Sequence, residues 1–253
     1  CDWSSDVCSS DLGYAVHALE RRKTILIERF VHEFKSPIVG IRNNADYLQR
    51  KIKQLTQDYT DIKFNDIINN CSILFYHLGE LEYLLGASGS QKLNFSRTVV
   101  FRDIIIKTIY ELQPVFRESK FSIANVTYNK ADSNRIIVKT DKIKLNQVVY
   151  NLLINSIKYA ESDLNKFKMV LEVDEDPTNF IIKFKDWGIG VKLDYGKKIF
   201  EEGFRSPEAI AKDVTGSGLG LTISKTIMIQ LGGDLILANN AKPTEFHLII
   251  PKN

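Results

Sequence analysis

The sequence predicts an α+β chain, an antiparallel helical hairpin followed by an α/β sandwich in which one sheet is covered by helices. Three observations point there. Apolar residues step by fours and threes from Ile27 to Leu55, and the pattern resumes from Ile67 to Leu85. After the small-residue stretch Gly86-Ala87-Ser88-Gly89-Ser90, helix-like and strand-like runs alternate. Two glycine-rich segments, 186–190 and 216–220, interrupt that second part. These divide the chain into a hairpin at 13–88 and a second domain at 95–253.

The first residues are set apart. Cys1 to Leu12 back-translates without strain to a common sequencing-library adapter, so 1–12 reads as an artefact and the genuine sequence resumes at Gly13, with its natural N-terminus missing. The remaining residues, roughly 240, suffice for two modest domains with real cores. The formal charge is +3, and no basic run is interleaved with aromatics, so no nucleic-acid partner is expected. Of three cysteines only Cys71 lies beyond the adapter-like stretch, which leaves no disulfide framework or zinc spacing and fits a reducing compartment. No stretch reaches the roughly 18 apolar residues that cross a bilayer. The fragment is therefore expected to be cytoplasmic, without membrane contact of its own, while a missing upstream segment could anchor the full-length protein in the inner membrane.

The hairpin comes first. Ile27, Val31, Phe34, Ile38, Ile41, Ala45, Leu48, Ile52 and Leu55 form a heptad seam, which predicts one long helix in a bundle. The polar stretch Thr56 to Asp61 reads as the connection, and Ile67, Cys71, Leu74, Leu78, Leu81 and Leu85 as the seam of the returning helix. Two helices alone cannot bury both seams. A second copy would complete a four-helix bundle, so a homodimer is expected.

His32 sits one position past Val31, just off the seam, where its imidazole would project to solvent. An unperturbed pKa near 6.5 leaves most of it neutral and nucleophilic at pH 7. Glu33 beside it can take a proton as the ring attacks. Pro37 removes the helical hydrogen bond to the Glu33 carbonyl and predicts a kink. Alone, this arrangement equally describes an exposed surface histidine.

In the second domain, Phe101 to Glu118 reads as a helix, and Ile123 to Tyr128 and Arg135 to Thr140 as strands. Asp141 is placed to cap a helix running to about Tyr159. Further strands are expected at Lys168 to Val173, Asn179 to Lys185, Asp234 to Ala238 and Glu245 to Ile250. On the capped helix Asn151, Asn155 and Lys158 are spaced at four and three and share one face, leaving Val149, Leu152, Leu153 and Ile157 to the core. Two carboxamides and an ammonium suit Mg²⁺ and phosphate oxygens, since hard cations take oxygen ligands. They equally suit a plain solvated face.

Asp186-Trp187-Gly188-Ile189-Gly190 directly follows a strand. A carboxylate beside two glycines can accept from an exocyclic amine while the backbone approaches a flat ring, although Asp-x-Gly-x-Gly also marks ordinary turns. Gly216-Ser217-Gly218-Leu219-Gly220 opens a helix, where amide groups can hold phosphates. It is no Walker A loop, because no Gly-Lys-Ser/Thr follows, and no dinucleotide fingerprint, because no strand precedes it. The long segment Val191 to Thr215 reads as a mobile lid, with Phe200 and Phe204 to fasten it and Arg205 to reach toward phosphate.

Taken in order, these segments resemble the catalytic core of a bacterial sensor histidine kinase over 13–253. His32-Glu33-Phe34-Lys35-Ser36-Pro37 is similar to the family's H box, and Asn151 to Tyr159 to its N box. Asp186 to Gly190 resembles the first glycine box, Phe200 to Phe204 the F box, and Gly216 to Gly220 the second glycine box. The resemblance implies a Bergerat ATP-binding fold, shared with Hsp90-like, gyrase-like and mismatch-repair ATPases. It further implies ATP and Mg²⁺ as cofactors, His32 as phosphoacceptor and Glu33 as its base. Asn155, helped by Asn151, would hold Mg²⁺, Lys158 would contact phosphate, and Asp186 would bind the adenine amine. Tyr159, Gly188, Gly190, Phe200, Arg205, Gly216, Gly218, Leu219 and Gly220 would complete the nucleotide site.

The phosphoryl group would pass on to an aspartate of a response-regulator receiver domain on another chain. Family members that also dephosphorylate their regulator usually carry Thr or Asn where this chain has Ser36, which leaves that activity open. The competing reading is a stand-alone ATPase or nucleotide-driven clamp on the same fold. Those enzymes typically place a water-activating Glu near the position of Asn151, and a carboxamide is a poor base. A catalytically dead dimerisation module would bind nucleotide without transferring it.

Overall fold

The computed structural model describes residues 33–34, 37–41, 43–45, 47–48, 57–84, 93–161, 167–213 and 216–252. His32, Ser36, the adapter-like stretch 1–12 and the linker 86–90 lie outside them. The described residues between 33 and 48 are helical, and helix α1 follows at Gln57–Leu84. It begins inside the polar stretch that the sequence reading gave to the connection. Polarity alone does not separate a loop from a solvated first turn, where Asp also favours the positive end of the helix dipole.

Strand β1, Phe95–Val99, pairs antiparallel with β3, Ile137–Asp141, as a separate two-stranded ribbon. β1 was not expected from the sequence, and with β3 it forms a ribbon apart from the single sheet that was expected. β1 is exposed along its first three residues, so Phe95-Ser96-Arg97 shows no alternation to read, and its only partner is itself exposed at alternate positions. The single helix expected from Phe101 to Glu118 is instead a π-helical turn, Phe101–Ile106, then α2, Lys107–Glu111, and α3, Gln113–Glu118. Pro114 explains the break at Leu112, because proline cannot donate to the carbonyl one turn back.

The main sheet holds β2, Val126–Tyr128; β4, Met169–Glu175; β5, Asn179–Asp186; β6, Asp234–Asn239; and β7, Thr244–Pro251. Its order is β2-β4-β5-β7-β6, with β2 parallel to β4 and every other pair antiparallel. One face is charged and wet. Lys183 reaches Asp174 at 2.9 Å and Lys185 reaches Glu172 at 2.5 Å across the β4–β5 ladder. The other face, carrying Met169, Leu171, Ile182, Phe184 and Leu248, packs under two helices.

Those helices are α4, Lys142–Lys158, and α6, Gly220–Gln230, which also pack on each other. Asp141 caps α4 as expected: its Oδ1 accepts from the N–H groups of Ile143 at 3.0 Å and Lys144 at 3.1 Å. Leu145, Val149, Leu152, Leu153 and Ile157 bury one stripe of α4. Each such side chain contributes about 1.5–3 kcal/mol by leaving water. The opposite stripe, at Asn151, Asn155 and Lys158, is thereby fixed toward α6 and the lid.

Candidate functional site

A cavity of about 160 Å³ opens between α4, the end of β5, the glycine run before α6, and α1. Asn151, Asn155, Lys158 and Tyr159 from α4 and its end border it, as do Asp186, Gly190, Arg205, Gly216, Gly218 and Gly220. Glu33 also borders it, so the residue after His32 faces the same space as the carboxamides. Three residues of the sequence reading lie behind this wall. Gly188 donates its N–H to Asp186 Oδ1 at 3.0 Å, Phe200 meets the Phe246 ring edge-on at 6.4 Å, and Leu219 is fully buried.

Asn151 is enclosed rather than solvated, at 1 % exposure. Its Nδ2 donates to Ser224 Oγ at 2.8 Å, and its Oδ1 accepts from Asn155 Nδ2 at 3.2 Å. Asn155 is thus carried beside a fixed neighbour, and the pair presents carboxamide groups to the cavity. That donor chemistry fits Mg²⁺, which binds few protein oxygens and keeps water and phosphate as its other ligands. Lys158 forms an ion pair with Asp213 Oδ2 at 3.4 Å, linking α4 to the lid.

At the other end, Asp186 is almost fully buried. Burial pushes its carboxyl up to about 6, opposed by hydrogen bonds from the Gly188 N–H and the Ser156 hydroxyl. Ser156 Oγ stands 3.4 Å from Asp186 Oδ2. A methyl group at Gly188 would meet the Tyr159 carbonyl oxygen at 2.5 Å and Asp186 Oδ1 at 2.8 Å, so only glycine lets the turn close on α4. The Ile189 N–H completes that closure by donating to Tyr159 O at 2.9 Å. A polar acceptor set deep in a slot with bare backbone beside it can hold a flat ring by its amine edge.

The glycine run is docked, not loose. Gly218 has φ +76° and accepts at its carbonyl from the Gly203 N–H at 3.2 Å. Any Cβ there would strike Gly203 at 2.8 Å. Arg205 donates to the carbonyls of Gly216 at 3.0 Å, Ala209 at 3.2 Å and Asp213. Its guanidinium therefore fastens the lid helix α5, Pro207–Lys212, to the start of the run. The sequence reading pointed this arginine toward phosphate; the structure ties it to backbone oxygens along the cavity wall.

Several residues at the site carry no local sequence signal. From α1, Tyr76, His77 and Glu80 border the cavity. The Tyr76 hydroxyl lies 3.1 Å from Asn151 Oδ1 and 3.2 Å from Glu80 Oε1, and the Ser217 hydroxyl donates to Glu80 Oε1 at 2.9 Å. His77 Nδ1 is 3.0 Å from Glu80 Oε2 and 3.3 Å from Glu33 Oε2. Burial raises the Tyr76 hydroxyl pKa well above its usual range and also raises that of the Glu33 carboxyl, which His77 partly offsets. These residues sit off the heptad seam and read as a solvated helix face. Only their spacing at i, i+1 and i+4 marks one surface, and nothing local says that α4 covers it.

Residues 140–253 match the family model for histidine kinase-, DNA gyrase B- and HSP90-like ATPases. Hybrid signal transduction histidine kinase B of Dictyostelium discoideum is 28 % identical over 228 residues, 86 % of this chain and 11 % of that protein. The autoinducer 2 sensor kinase/phosphatase LuxQ of Vibrio parahaemolyticus is 27 % identical over 232 residues, 89 % of this chain and 26 % of that one. The chain thus spans between about a tenth and a quarter of the length of these curated relatives. Among solved structures, histidine kinase ThkA in complex with response regulator protein TrrA matches with a TM-score of 0.52 at 20 % identity, covering 100 % of this chain and 68 % of that one. The separate ThkA catalytic domain matches with a TM-score of 0.50 at 20 % identity, over 63 % of this chain and 99 % of that one. The likeness to both is one of fold. The matched residues 140–253 hold α4, strands β4 to β7, α6 and the buried Asp186, so the cavity's main walls fall within the part of the chain that resembles these ATPases.

Proposed function

We propose that the chain is the core of a sensor histidine kinase that phosphorylates His32 from ATP and passes the phosphoryl group to an aspartate of a response regulator. The observation that carries this reading is Glu33: although it belongs to the helical segment before α1, it borders the cavity that Asn155, Asp186 and the glycine run enclose. His32, the residue before it in sequence, is the nucleophile that this reading brings to a terminal phosphate.

In the proposed reaction a nitrogen of the neutral His32 ring attacks the γ-phosphorus. A nitrogen–phosphorus bond forms, the bond to the bridging β–γ oxygen breaks, and ADP leaves with those electrons. Glu33 takes the ring proton, and its burial-raised carboxyl pKa makes it a better acceptor than an ordinary surface glutamate. Asp186 would fix the adenine amine. Asn155, with Asn151 behind it, would hold Mg²⁺, which supplies charge neutralisation on the phosphates. Lys158 would add to it when released from Asp213.

Hydrolysis in place of transfer is disfavoured by Asn151. Both ends of its carboxamide are engaged, and it cannot take a proton from water. For partners, the ThkA match is a complex with a response regulator, which supports a receiver domain here. A homodimer is supported by the seam: Ile38 and Leu78 remain 53 % and 44 % exposed in the single chain, although the heptad pattern assigns them to a core. No described helix is long and apolar enough to cross a membrane. We place the fragment in the cytoplasm, where ATP and a receiver domain are available.

Incubation with Mg²⁺ and γ-labelled ATP tests the reading against His32→Gln. Acid-labile, alkali-stable label that vanishes in the mutant supports it; phosphate release that the mutation leaves untouched assigns the chain to the ATPases instead. Glu33→Gln should slow labelling by about 10²–10⁴-fold while leaving nucleotide affinity within twofold.

A further inference from the structure

On the hairpin side of the cavity, ATP binding does not account for the grouping of Glu33, His77 and Glu80. One ligand atom from each, the ring nitrogen and a carboxylate oxygen apiece, lie within 4.8 Å of one another. His77 Nδ1 stands 3.3 Å from Glu33 Oε2 and 3.0 Å from Glu80 Oε2. A ring nitrogen carries at most one proton, so it can give a full hydrogen bond to one carboxylate and not to both. The remaining carboxylate then faces its twin in a space where Glu80 is only 2 % exposed. Like charges held this close are costly, and a single bound dication would satisfy all three groups at once.

The geometry favours a particular class of ion. Ligands bonded at about 2.0–2.2 Å to a tetrahedral centre lie roughly 3.3–3.6 Å apart; His77 stands at that separation from Glu33, 3.3 Å, and slightly inside it from Glu80, 3.0 Å. One imidazole with two carboxylates suits Zn²⁺, Mn²⁺ or Co²⁺ better than Mg²⁺, which takes oxygen ligands. The donors are also held from behind. Glu80 Oε1 accepts from the Ser217 hydroxyl at 2.9 Å and lies 3.2 Å from the Tyr76 hydroxyl, which leaves Oε2 toward the gap. The His77 ring is set edge-on between Phe34, with centroids 5.9 Å apart, and Tyr76, at 5.3 Å. Hydrogen bonds and packing that fix a donor before the ion arrives are a general property of metal sites.

We propose that in the nucleotide-free chain Glu33, His77 and Glu80 form a site for a divalent first-row transition ion, with Zn²⁺ the best fit, separate from the Mg²⁺ that would accompany nucleotide on Asn155; the ion engages the same Glu33 carboxylate that takes the His32 proton, so the ion-bound state and the reacting state alternate. Because the ligands come from the segment before α1 and from α1 itself, an ion there joins the two helical pieces. Through Ser217 it also braces them against the glycine run.

The test is calorimetric titration of the nucleotide-free chain with Zn²⁺ alone, in millimolar Mg²⁺, repeated with His77→Gln, Glu80→Gln and Glu33→Gln. Cobalt titrations followed by visible absorption serve as a second measure. The expected result is saturable binding in the micromolar range that weakens at least tenfold in each variant, with a cobalt spectrum that loses intensity in His77→Gln. Glu33 is partly exposed, so its variant decides the matter if either α1 variant misfolds. Affinity in Glu33→Gln and in the folded α1 variants equal to the starting protein, or no saturation below millimolar Zn²⁺, would overturn the proposal.

Discussion

Asp186 shows how one buried group sets both stability and recognition. Its carboxyl, raised from the ordinary 3.8 to about 6 by burial, favours the folded state when protonated. That contribution is fully present below about pH 4 and is lost as pH rises through about 6, amounting to about 3 kcal/mol at most. Asp186→Asn should therefore flatten this stretch of the stability profile and make the nucleotide-free domain more stable at pH 7, as measured by denaturant unfolding. Nucleotide recognition runs the other way, because an amine donates best to an ionised acceptor. Adenine nucleotide affinity of the starting protein should rise with pH through about 6, and the mutant should lose at least tenfold at pH 7. At Gly220 the expectation is steric: an added Cβ would meet Asn151 Oδ1 at 2.3 Å and the Tyr76 hydroxyl at 2.8 Å. Gly220→Ala should cost about 1–3 kcal/mol of unfolding free energy and weaken nucleotide binding together.

At the scale of elements, α4 was legible from sequence because everything about it is local. Asp141 precedes it, the apolar stripe is regular, and the polar stripe lies at matching spacing. Asp141→Ala should lower unfolding free energy by about 0.5–2 kcal/mol, since it leaves the Ile143 and Lys144 amides without their acceptor. Strands β4 to β7 were legible to within a residue or two for the same reason, whereas β2 begins three residues later than expected, at Val126, after a 3₁₀ turn at Ile123–Asn125. β1 was not legible, because its partner is β3, some forty residues on, and its exposed half has no period. The helical break at Leu112 could have been read from Pro114. The α1 surface at Tyr76, His77 and Glu80 could not, because its burial depends on α4, more than sixty residues away. On the proposed dimer seam, Ile38→Asp or Leu78→Asp should shift the chain from dimer to monomer in sedimentation, with little change in the unfolding of the part from β1 onward.

For the whole molecule, the cavity is where separate stretches of chain meet, so its ligand should stabilise all of them. Nucleotide at a hundredfold excess over Kd adds about 2.7 kcal/mol, which raises the unfolding midpoint by about 5–10 °C for a chain of this size. Chelating Mg²⁺ should remove much of that shift, and Asp186→Ala nearly all of it, both readable by thermal melting. A shift equal in all three conditions would mean that the nucleotide binds elsewhere.

Asp141 has a further, mechanical consequence. It ends β3, lies opposite Phe95 in the ribbon register, caps α4, and accepts at Oδ2 from the Asn94 N–H at 2.8 Å. The chain leading into β1 is thus moored to the first turn of the helix that carries Asn151, about 15 Å further along its axis. A tug on residue 93 is delivered to that helix through this carboxylate and the β1–β3 ladder, with no slack loop to absorb it. Tension in the chain upstream and the position of the two carboxamides are therefore coupled as a rope is coupled to a lever.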